Sequence, residues 1–382
     1  MQNTEIKEKI KKLDRLVGKE VLDFIYEIYD SETGAFYYTK SGSLDKELLP
    51  DIEATYFALE VLEWGGIFKD GYPDFLREKL VPWVKEKQSD VDGYFYLPQW
   101  GKTTGSRRDR DLNFALEILE SFGEAPLYKT PHERFGDAAL SRELPEYLKS
   151  KEGLISWFDS MSFDNASIWA TGNTISCAKK QLESAGLLPL ARSYIVEKQN
   201  KETGLFGDGF NFMNSNGTMK LSYLFDENFP FPHLEKAISS IIKIIKTTEI
   251  PEDVAITFIW NPFVAMNTLM ASYKTVPESV MRLIYENADT LIDFAYNNAL
   301  LFKRCDGGFS EYPERGLAAI QGGVKIGDGS LASDMDGTVI ASPRMRASVY
   351  ELFGVENTKD HYAQLRDEFL DKLKNKPATV KL

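Results

Sequence analysis

The sequence has little cysteine, little histidine and no long apolar run. Its two cysteines, Cys177 and Cys305, cannot form a disulfide framework or a four-cysteine zinc site, and they indicate free thiols in a reducing compartment. None of its three histidines lies at a ligand-like spacing from a cysteine, so we expect no metal and no cofactor. No segment approaches the roughly 18 consecutive apolar residues of a membrane span, and the charged N-terminus has no apolar signal segment. These absences predict a cytoplasmic protein.

Positive charge is also scarce. Lys and Arg number 45 against 58 Asp and Glu, which gives a net charge of −13. Nucleic acids and anionic membranes attract proteins through local positive potential, so we expect neither as a partner. A small-molecule or oligosaccharide substrate is the remaining expectation. The only basic cluster, residues 107–111, includes Arg108 and Asp109, and it is either an anion-binding element or a surface group of ion pairs.

Glycine–aromatic corners recur about every 50 to 60 residues. Each follows an amphipathic segment, as expected for a tight reversal after a helix. The copies are Gly34-Ala35-Phe36, Gly93-Tyr94-Phe95, Gly204-Leu205-Phe206 and the weaker Gly307-Gly308-Phe309, with Gly153-Leu154-Ile155 as a further candidate. The gap before Gly307 leaves room for one unmarked unit near residues 251–260. The sequence therefore predicts six units of similar length.

Each unit contains a charged first helix and a more apolar second helix. The second helices align as Ala58–Leu62 and Ala115–Leu119, and glycines at 65–66, 123 and 186 stand where helix C-caps are expected. Apolar residues on most sides indicate inner helices that face only other helices. Such pairs can form an open solenoid, an irregular helical protein or a ring. We predict an all-α fold, a single domain over residues 1–382 closed into an (α/α)6 toroid of six helix pairs.

The repeat resembles a known superfamily. A helix ending in Gln88 or Gln199, a glycine–aromatic turn and a following helix that opens Thr55-Tyr56-Phe57-Ala58-Leu59 resemble the repeats of terpenoid cyclases and protein prenyltransferase β-subunits. Here Gly follows Gln by five residues where four is usual, and Phe replaces the usual Trp. The resemblance implies an α/α-toroid enzyme with an aromatic-lined central cavity and catalysis by a carboxylic acid. A prenyltransferase would also need zinc, for which the sequence offers no ligand set.

A second resemblance concerns the acidic segment Ser333-Asp334-Met335-Asp336-Gly337-Thr338. It is similar to the Asp-x-Asp-Asp-Thr motif of class II terpene cyclases, with Gly337 in place of the third carboxylate. The resemblance implies that Asp336 is the proton donor and Asp334 its partner, because paired carboxylates keep one acid protonated near neutral pH. Ser342-Pro343 is typical of a helix start, which would leave both aspartates in a loop before the inner helix. A solvated or cation-binding acidic turn is the alternative.

Other candidate residues lie just before the predicted inner helices. In a ring, these positions surround one mouth of the central cavity. Glu311 joins Asp334 and Asp336 as a candidate catalytic residue. The candidate substrate-binding residues are Asp51, Arg108, Asp109, Trp169, Asn173, Trp260 and Tyr312. Helix capping is the alternative role for Asp51.

Glycan chemistry is the competing hypothesis. Many glycoside hydrolases and polysaccharide lyases are also α/α toroids, in which tryptophans stack on sugars and two carboxylates act across a cleft. Asp51 or Asp109 opposite Glu311 or Asp336 would be such a pair. A binding protein with a degenerate site is the third possibility. A hydrophobic cavity floor under an acidic rim favours an isoprenoid, whereas a polar cleft with exposed tryptophans favours a sugar.

Overall fold

Helices account for nearly all the regular structure. The computed structural model describes residues 2–134, 145–251 and 253–381. Within these ranges the only two-stranded sheet is an antiparallel hairpin of β1, Ala319–Ile320, and β2, Val324–Lys325. The predicted all-α class is therefore confirmed. No helix of the described ranges is long and apolar enough to cross a membrane.

The first half of the chain contains both short and long helices. Two 3-10 turns accompany them, at Lys11–Val17 and Glu146–Leu148. The described α-helices up to residue 198 are α1, Gln2–Ile10; α2, Lys19–Glu27; α3, Lys40–Leu44; α4, Ile52–Trp64; α5, Asp74–Glu86; α6, Gly105–Ser121; α7, Lys151–Asp159; α8, Ile168–Cys177; α9, Lys179–Ser184; and α10, Leu188–Lys198.

The second half is also helical, and it contains one change from α-helical to π-helical winding. A 3-10 turn at Leu300–Phe302 precedes the last corner, and a π-helical turn at Ile340–Arg344 joins the final two inner segments. The α-helices described here are α11, Phe212–Ser222; α12, Leu234–Thr247; α13, Ile256–Ala271; α14, Glu278–Glu286; α15, Ala288–Ala299; α16, Met335–Val339; α17, Met345–Leu352; and α18, Arg366–Lys374.

The helices that follow the corners pack against one another in chain order. Helix α4 packs against α6, α8 against α11, α11 against α13, and α13 against α17. Helix α16, which leads into α17, packs against α4, so the end of this series contacts its beginning. Two more charged helices pack against these, α5 against α6 and α12 against α13. At the ends of the chain, α1 packs against α15 and α18 against α2.

Four of the predicted corners are tight turns that need glycine. Gly34, Gly93, Gly204 and Gly307 have φ values of 74°, 79°, 71° and 105°, a region that side chains with a Cβ rarely adopt. The aromatic residues that follow them, Phe36, Phe95, Phe206 and Phe309, are fully buried. The prediction of a corner at Gly153 was wrong. Gly153 lies in the first turn of α7, where its N–H bonds at 2.9 Å to the capping hydroxyl of Ser150.

The glutamines before two corners hold those corners in place. Nε2 of Gln88 donates to the carbonyl of its corner glycine at 3.1 Å and to the carbonyl of Tyr128 at 2.8 Å. Nε2 of Gln199 donates to its corner glycine at 2.7 Å and to the carbonyl of Pro232 at 2.9 Å. Each glutamine therefore joins its own corner to the segment that follows the next inner helix.

A threonine of the inner helix fastens three of the corners. In each case the backbone N–H of the corner phenylalanine donates to a threonine hydroxyl at 3.0 Å. The three pairs are Phe36 with Thr55, Phe206 with Thr218, and Phe309 with Thr338. This shared contact identifies equivalent positions in α4, α11 and α16.

The ends of the inner helices are partly as expected. Gly66, Gly123 and Gly186 have φ values of 84°, 68° and 68°, which confirms the predicted C-caps. The predicted helix start at Ser342-Pro343 was wrong. Both residues lie inside the π-helical turn, and the inner helix already begins after Asp334. The acidic segment therefore opens a helix and does not form a loop ahead of it.

Candidate functional site

Two acidic helix starts meet where α16 packs against α4. Asp51 and Asp334 are N-caps, and each carboxylate accepts the backbone N–H three residues further on at 2.7 Å. A threonine follows each cap by four residues and makes the corner contact described above. Glu53 and Asp336 therefore occupy the same position, in the first turns of neighbouring inner helices.

Glycine at position 337 brings a third carboxyl group to this site. A Cβ on Gly337 would lie only 2.1 Å from the carbonyl carbon of Ser310. Glycine at this position therefore allows the backbone that follows the last corner to lie against α16. The next residue is Glu311, whose backbone N–H donates to Oδ2 of Asp334 at 2.8 Å. The missing side chain of the acidic motif thus makes room for Glu311, which lies beside Asp336.

Glu311 and Asp336 line one cavity of about 320 Å³. The cavity is enclosed by inner helices, and Gln321 reaches it from the turn between β1 and β2. That hairpin is held by the segment that precedes α6, where Nε1 of Trp100 donates to the carbonyl of Lys325 at 3.0 Å. Five aromatic side chains also line the cavity, namely Phe57, Trp169, Tyr223, Phe258 and Trp260.

The two carboxyl groups in the cavity titrate differently. Burial, followed by the negative charges of Asp336 and Asp334, raises the pKa of Glu311 to about 8. Burial and the charge of Glu53 raise the pKa of Asp336 to about 6, while the Tyr38 hydroxyl and nearby guanidinium groups oppose the shift. The same cavity therefore holds a protonated and an ionised carboxyl group near pH 7. Because the two interact, both values belong to the pair.

Asp334 lies behind this pair, fully buried. Burial raises its pKa to about 8 even though two backbone N–H groups, those of Gly337 and Glu311, favour its ionised form. It does not line the cavity. Its carboxylate accepts hydrogen bonds from both the start of α16 and the backbone of Glu311, and it thereby holds them together.

Cationic side chains line the cavity as well. Arg110 bonds to Glu53, which is fully buried and also bonds to Arg107. Arg344 forms a bidentate pair with Glu60, at 2.8 and 2.7 Å. Each of the two lining arginines therefore has a carboxylate partner of its own.

Lys220 is the third cation of the lining and differs from the arginines. Within the described ranges its ammonium group makes no hydrogen bond or ion pair. Burial, together with the positive charge of Arg110, lowers its pKa.

The structure brings four of the predicted site residues together in the cavity and leaves the others outside its lining. Glu311, Asp336, Trp169 and Trp260 line the cavity. Asp51 is buried as a helix cap, in agreement with its alternative role. Arg108 and Asp109 bond to each other on the outer side of α6, Asn173 is half-buried on α8, and Tyr312 stacks under Arg315 at 3.4 Å.

Sequence reasoning missed Lys220, Arg344, Phe57 and Gln321. A helical spacing would have found some of them. Lys220 follows Asn216 by four residues, and Asn216 is the equivalent of Asp336 in its unit. Residues four apart share a helix face, so the position one turn after Glu53, Asn216 or Asp336 is a cavity position.

No metal cluster is formed by the part of the chain that the structure describes. Groups of three or more His, Cys, Asp or Glu side chains that could hold an ion are not found there. No protein-family model matches the sequence, and neither a curated protein nor a solved structure matches it. The chemistry of the cavity is therefore the basis for assigning a function.

Proposed function

We propose that this protein is an enzyme whose helix pairs form an (α/α)6 toroid around the cavity. The proposal is supported by the packing of α4, α6, α8, α11, α13 and α16–α17, most of which contact the next in chain order, and by the return of α16 to α4. The segment between α6 and α7 includes residues 135–144, which lie outside the described ranges. Cys177 and Cys305 are free thiols, which suits a reducing compartment such as the cytoplasm.

The catalytic groups of the proposed enzyme are Glu311 and Asp336. The observation that carries this assignment is the presence in one cavity of two carboxyl groups whose pKa values are about 8 and about 6. At pH 7 Glu311 holds a proton that it can donate, and Asp336 holds a negative charge that can accept one. Environments that separate two pKa values in this way define an acid and a base.

A sugar-like substrate suits the cavity better than an isoprenoid. Three cations and the amides of Asn261 and Gln321 make the lining polar, and Trp169 is 42% exposed, free to stack on a sugar ring. A carbocation formed from an isoprenoid would be repelled by those cations. In addition, the faces of Phe57 and Trp260 are already covered by Arg344, at 4.9 and 5.9 Å from the ring centres.

The proposed reaction is hydrolysis of a glycosidic bond. Glu311 donates its proton to the bridging oxygen as the bond between that oxygen and the anomeric carbon breaks, so that the leaving sugar departs as an alcohol. Asp336 either takes a proton from the attacking water or attacks the anomeric carbon itself before water releases the product. Inversion or retention at the anomeric carbon separates these two routes.

The test uses the full chain with a panel of nitrophenyl glycosides, oligosaccharides and isoprenoid diphosphates. We expect turnover of a sugar substrate, and a loss of about 100-fold or more in Glu311→Gln and Asp336→Asn, because general acid–base catalysis contributes that much. Glu314→Gln is the matched control, since Glu314 is exposed on the same segment. Full activity of both cavity variants would show that the assignment is wrong. Turnover of an isoprenoid alone would support the terpenoid-cyclase alternative, and binding without turnover would support a binding protein.

A further inference from the structure

Lys220 is a half-buried cation that has no counterion of its own in the described ranges, although acidic residues outnumber basic ones in the chain. Removing an ammonium group from water is costly unless an anion or hydrogen-bond acceptors replace the water. The Cys177 thiol favours its charge, whereas Arg110, also a cation, opposes it, and Arg110 is already paired with Glu53. The arrangement thus concentrates positive charge at one side of the cavity and leaves it unbalanced.

Asn216, one turn before Lys220 on α11, is a second polar side chain without a partner in the described ranges. It is fully buried, and neither Oδ1 nor Nδ2 has a hydrogen-bond partner. The threonine contacts make this position equivalent to Glu53 in α4 and to Asp336 in α16. An amide in place of a carboxylate removes the negative charge that would otherwise neutralise Lys220. A buried amide with unused donors and acceptors is itself typical of a site completed by a ligand or water.

We infer that the cavity binds an anionic group of its substrate between Lys220 and Arg110. This inference rests on the proposed function, because it takes the cavity to be the substrate site. The anion supplies the counterion that Lys220 lacks and relieves its repulsion with Arg110. A carboxylate, a phosphate or a sulfate on a sugar would each meet this requirement. The proposed substrate is therefore an acidic sugar, held by α6 and α11 while Glu311 and Asp336 act on its glycosidic bond.

Binding to the full chain tests the inference without any need for turnover. Titration calorimetry compares glucuronate, glucose 6-phosphate and glucose 6-sulfate with glucose, which is their neutral counterpart. We expect at least one acidic sugar to bind about tenfold or more tightly than glucose, and Lys220→Met to abolish that preference. Lys220→Arg should retain it, and Lys246→Met on the exposed face of α12 is the matched control. The acidic sugar that binds best identifies the anionic group.

A second measurement applies if Lys220→Met does not fold. Acetic anhydride labels lysines of the unmodified protein, and mass spectrometry then gives the rate at each site. The acidic sugar should slow labelling of Lys220 severalfold and leave Lys246 unaffected. Equal affinity for glucose and all three acidic sugars, or unprotected labelling of Lys220, would overturn the inference. Preference for acidic sugars in a protein that shows no turnover would leave the anion site standing and refute the enzymatic proposal alone.

Discussion

The two oxygens of Asp334 hold the two proposed catalytic groups. Oδ2 accepts the backbone N–H of Glu311 at 2.8 Å, and Oδ1 caps at 2.7 Å the helix that carries Asp336. One buried side chain therefore fixes the acid and the base relative to each other. It contributes to the site without lining the cavity.

Removal of this support should affect both stability and activity. We expect Asp334→Ala to lower the free energy of unfolding by about 1 kcal/mol or more through loss of the cap, and to reduce kcat about tenfold or more because Glu311 is no longer held. Asp51→Ala is the matched control, since Asp51 caps α4 in the same way. Denaturant unfolding and kinetics of the two variants decide the matter. Equal kcat in both would show that Asp334 is only a cap.

The glycine at 337 gives a second prediction. Gly337→Ala should cost about 1–3 kcal/mol of stability and displace Glu311, because the new methyl group would overlap the backbone of Ser310. Gly354→Ala is a control for backbone strain alone, since a Cβ there meets open space at a φ of 60°. Thermal unfolding and kcat are measured for both variants. A Gly337→Ala protein with normal activity would contradict the role given to this close approach.

The activity should have an optimum near neutral pH. The value of kcat/KM should rise around pH 6, as the pair of Glu311 and Asp336 loses its first proton, and fall around pH 8, as it loses its second. In Glu311→Gln the falling limb should disappear from the residual activity, and in Asp336→Asn the rising limb should disappear. A profile that keeps both limbs in both variants would assign the titration to other groups.

The same pKa shift predicts how stability depends on pH. Glu311 has a pKa of about 8 in the folded chain, against about 4.3 in an unfolded one. Its contribution to stability is therefore complete below about pH 4 and is lost as the pH rises to 8, because the folded state must then bury a charge. Glu311→Gln should be more stable than the parent protein at pH 9, by up to about 5 kcal/mol, and equal to it at pH 4. Glu314→Gln should show no such dependence.

The glutamines before the corners give a prediction about the fold. Gln88→Leu and Gln199→Leu should each cost about 1–3 kcal/mol, because each leaves two backbone carbonyls without a donor. The two losses should add, since the sites are far apart in the chain and share no partner. Gln181→Leu is the control on α9, where the described contacts give its side chain no hydrogen bond. A marked departure from additivity would mean that the corners are coupled.

The sequence predicts local features of this fold well. A glycine followed by a buried aromatic residue is a signal confined to a few residues, and it located the corners at Gly34, Gly93, Gly204 and Gly307. The same signal misled at Gly153, where the following Leu and Ile continue a helix. The acidic motif predicted Asp336 as a site residue. The start of its helix was predicted too far along the chain, because Ser342-Pro343 resembles a helix N-terminus but lies inside the π-helical turn.

Which side chains lie next to one another in the site could be predicted less well from the sequence. Glu311 reaches Asp336 only because a glycine 26 positions later admits its backbone, and no local pattern records such a contact. The spacing of Lys220 from Asn216 could have placed it in the cavity, but only the structure shows that its ammonium group lacks a counterion. Arg108 and Asp109 were expected in the cavity, but Arg110 lines it instead, and these two bond to each other outside its lining.

The threonine contacts have a consequence for how this chain is made. Each joins a corner to the next inner helix along the chain, across separations of 19, 12 and 29 residues. Short loops close at a low entropic cost, and contacts between near neighbours in sequence form early. A chain emerging from the ribosome can thus complete such a corner before the next one has been synthesised. The meeting of α16 with α4, which also assembles the acidic cavity, must instead await the synthesis of α16.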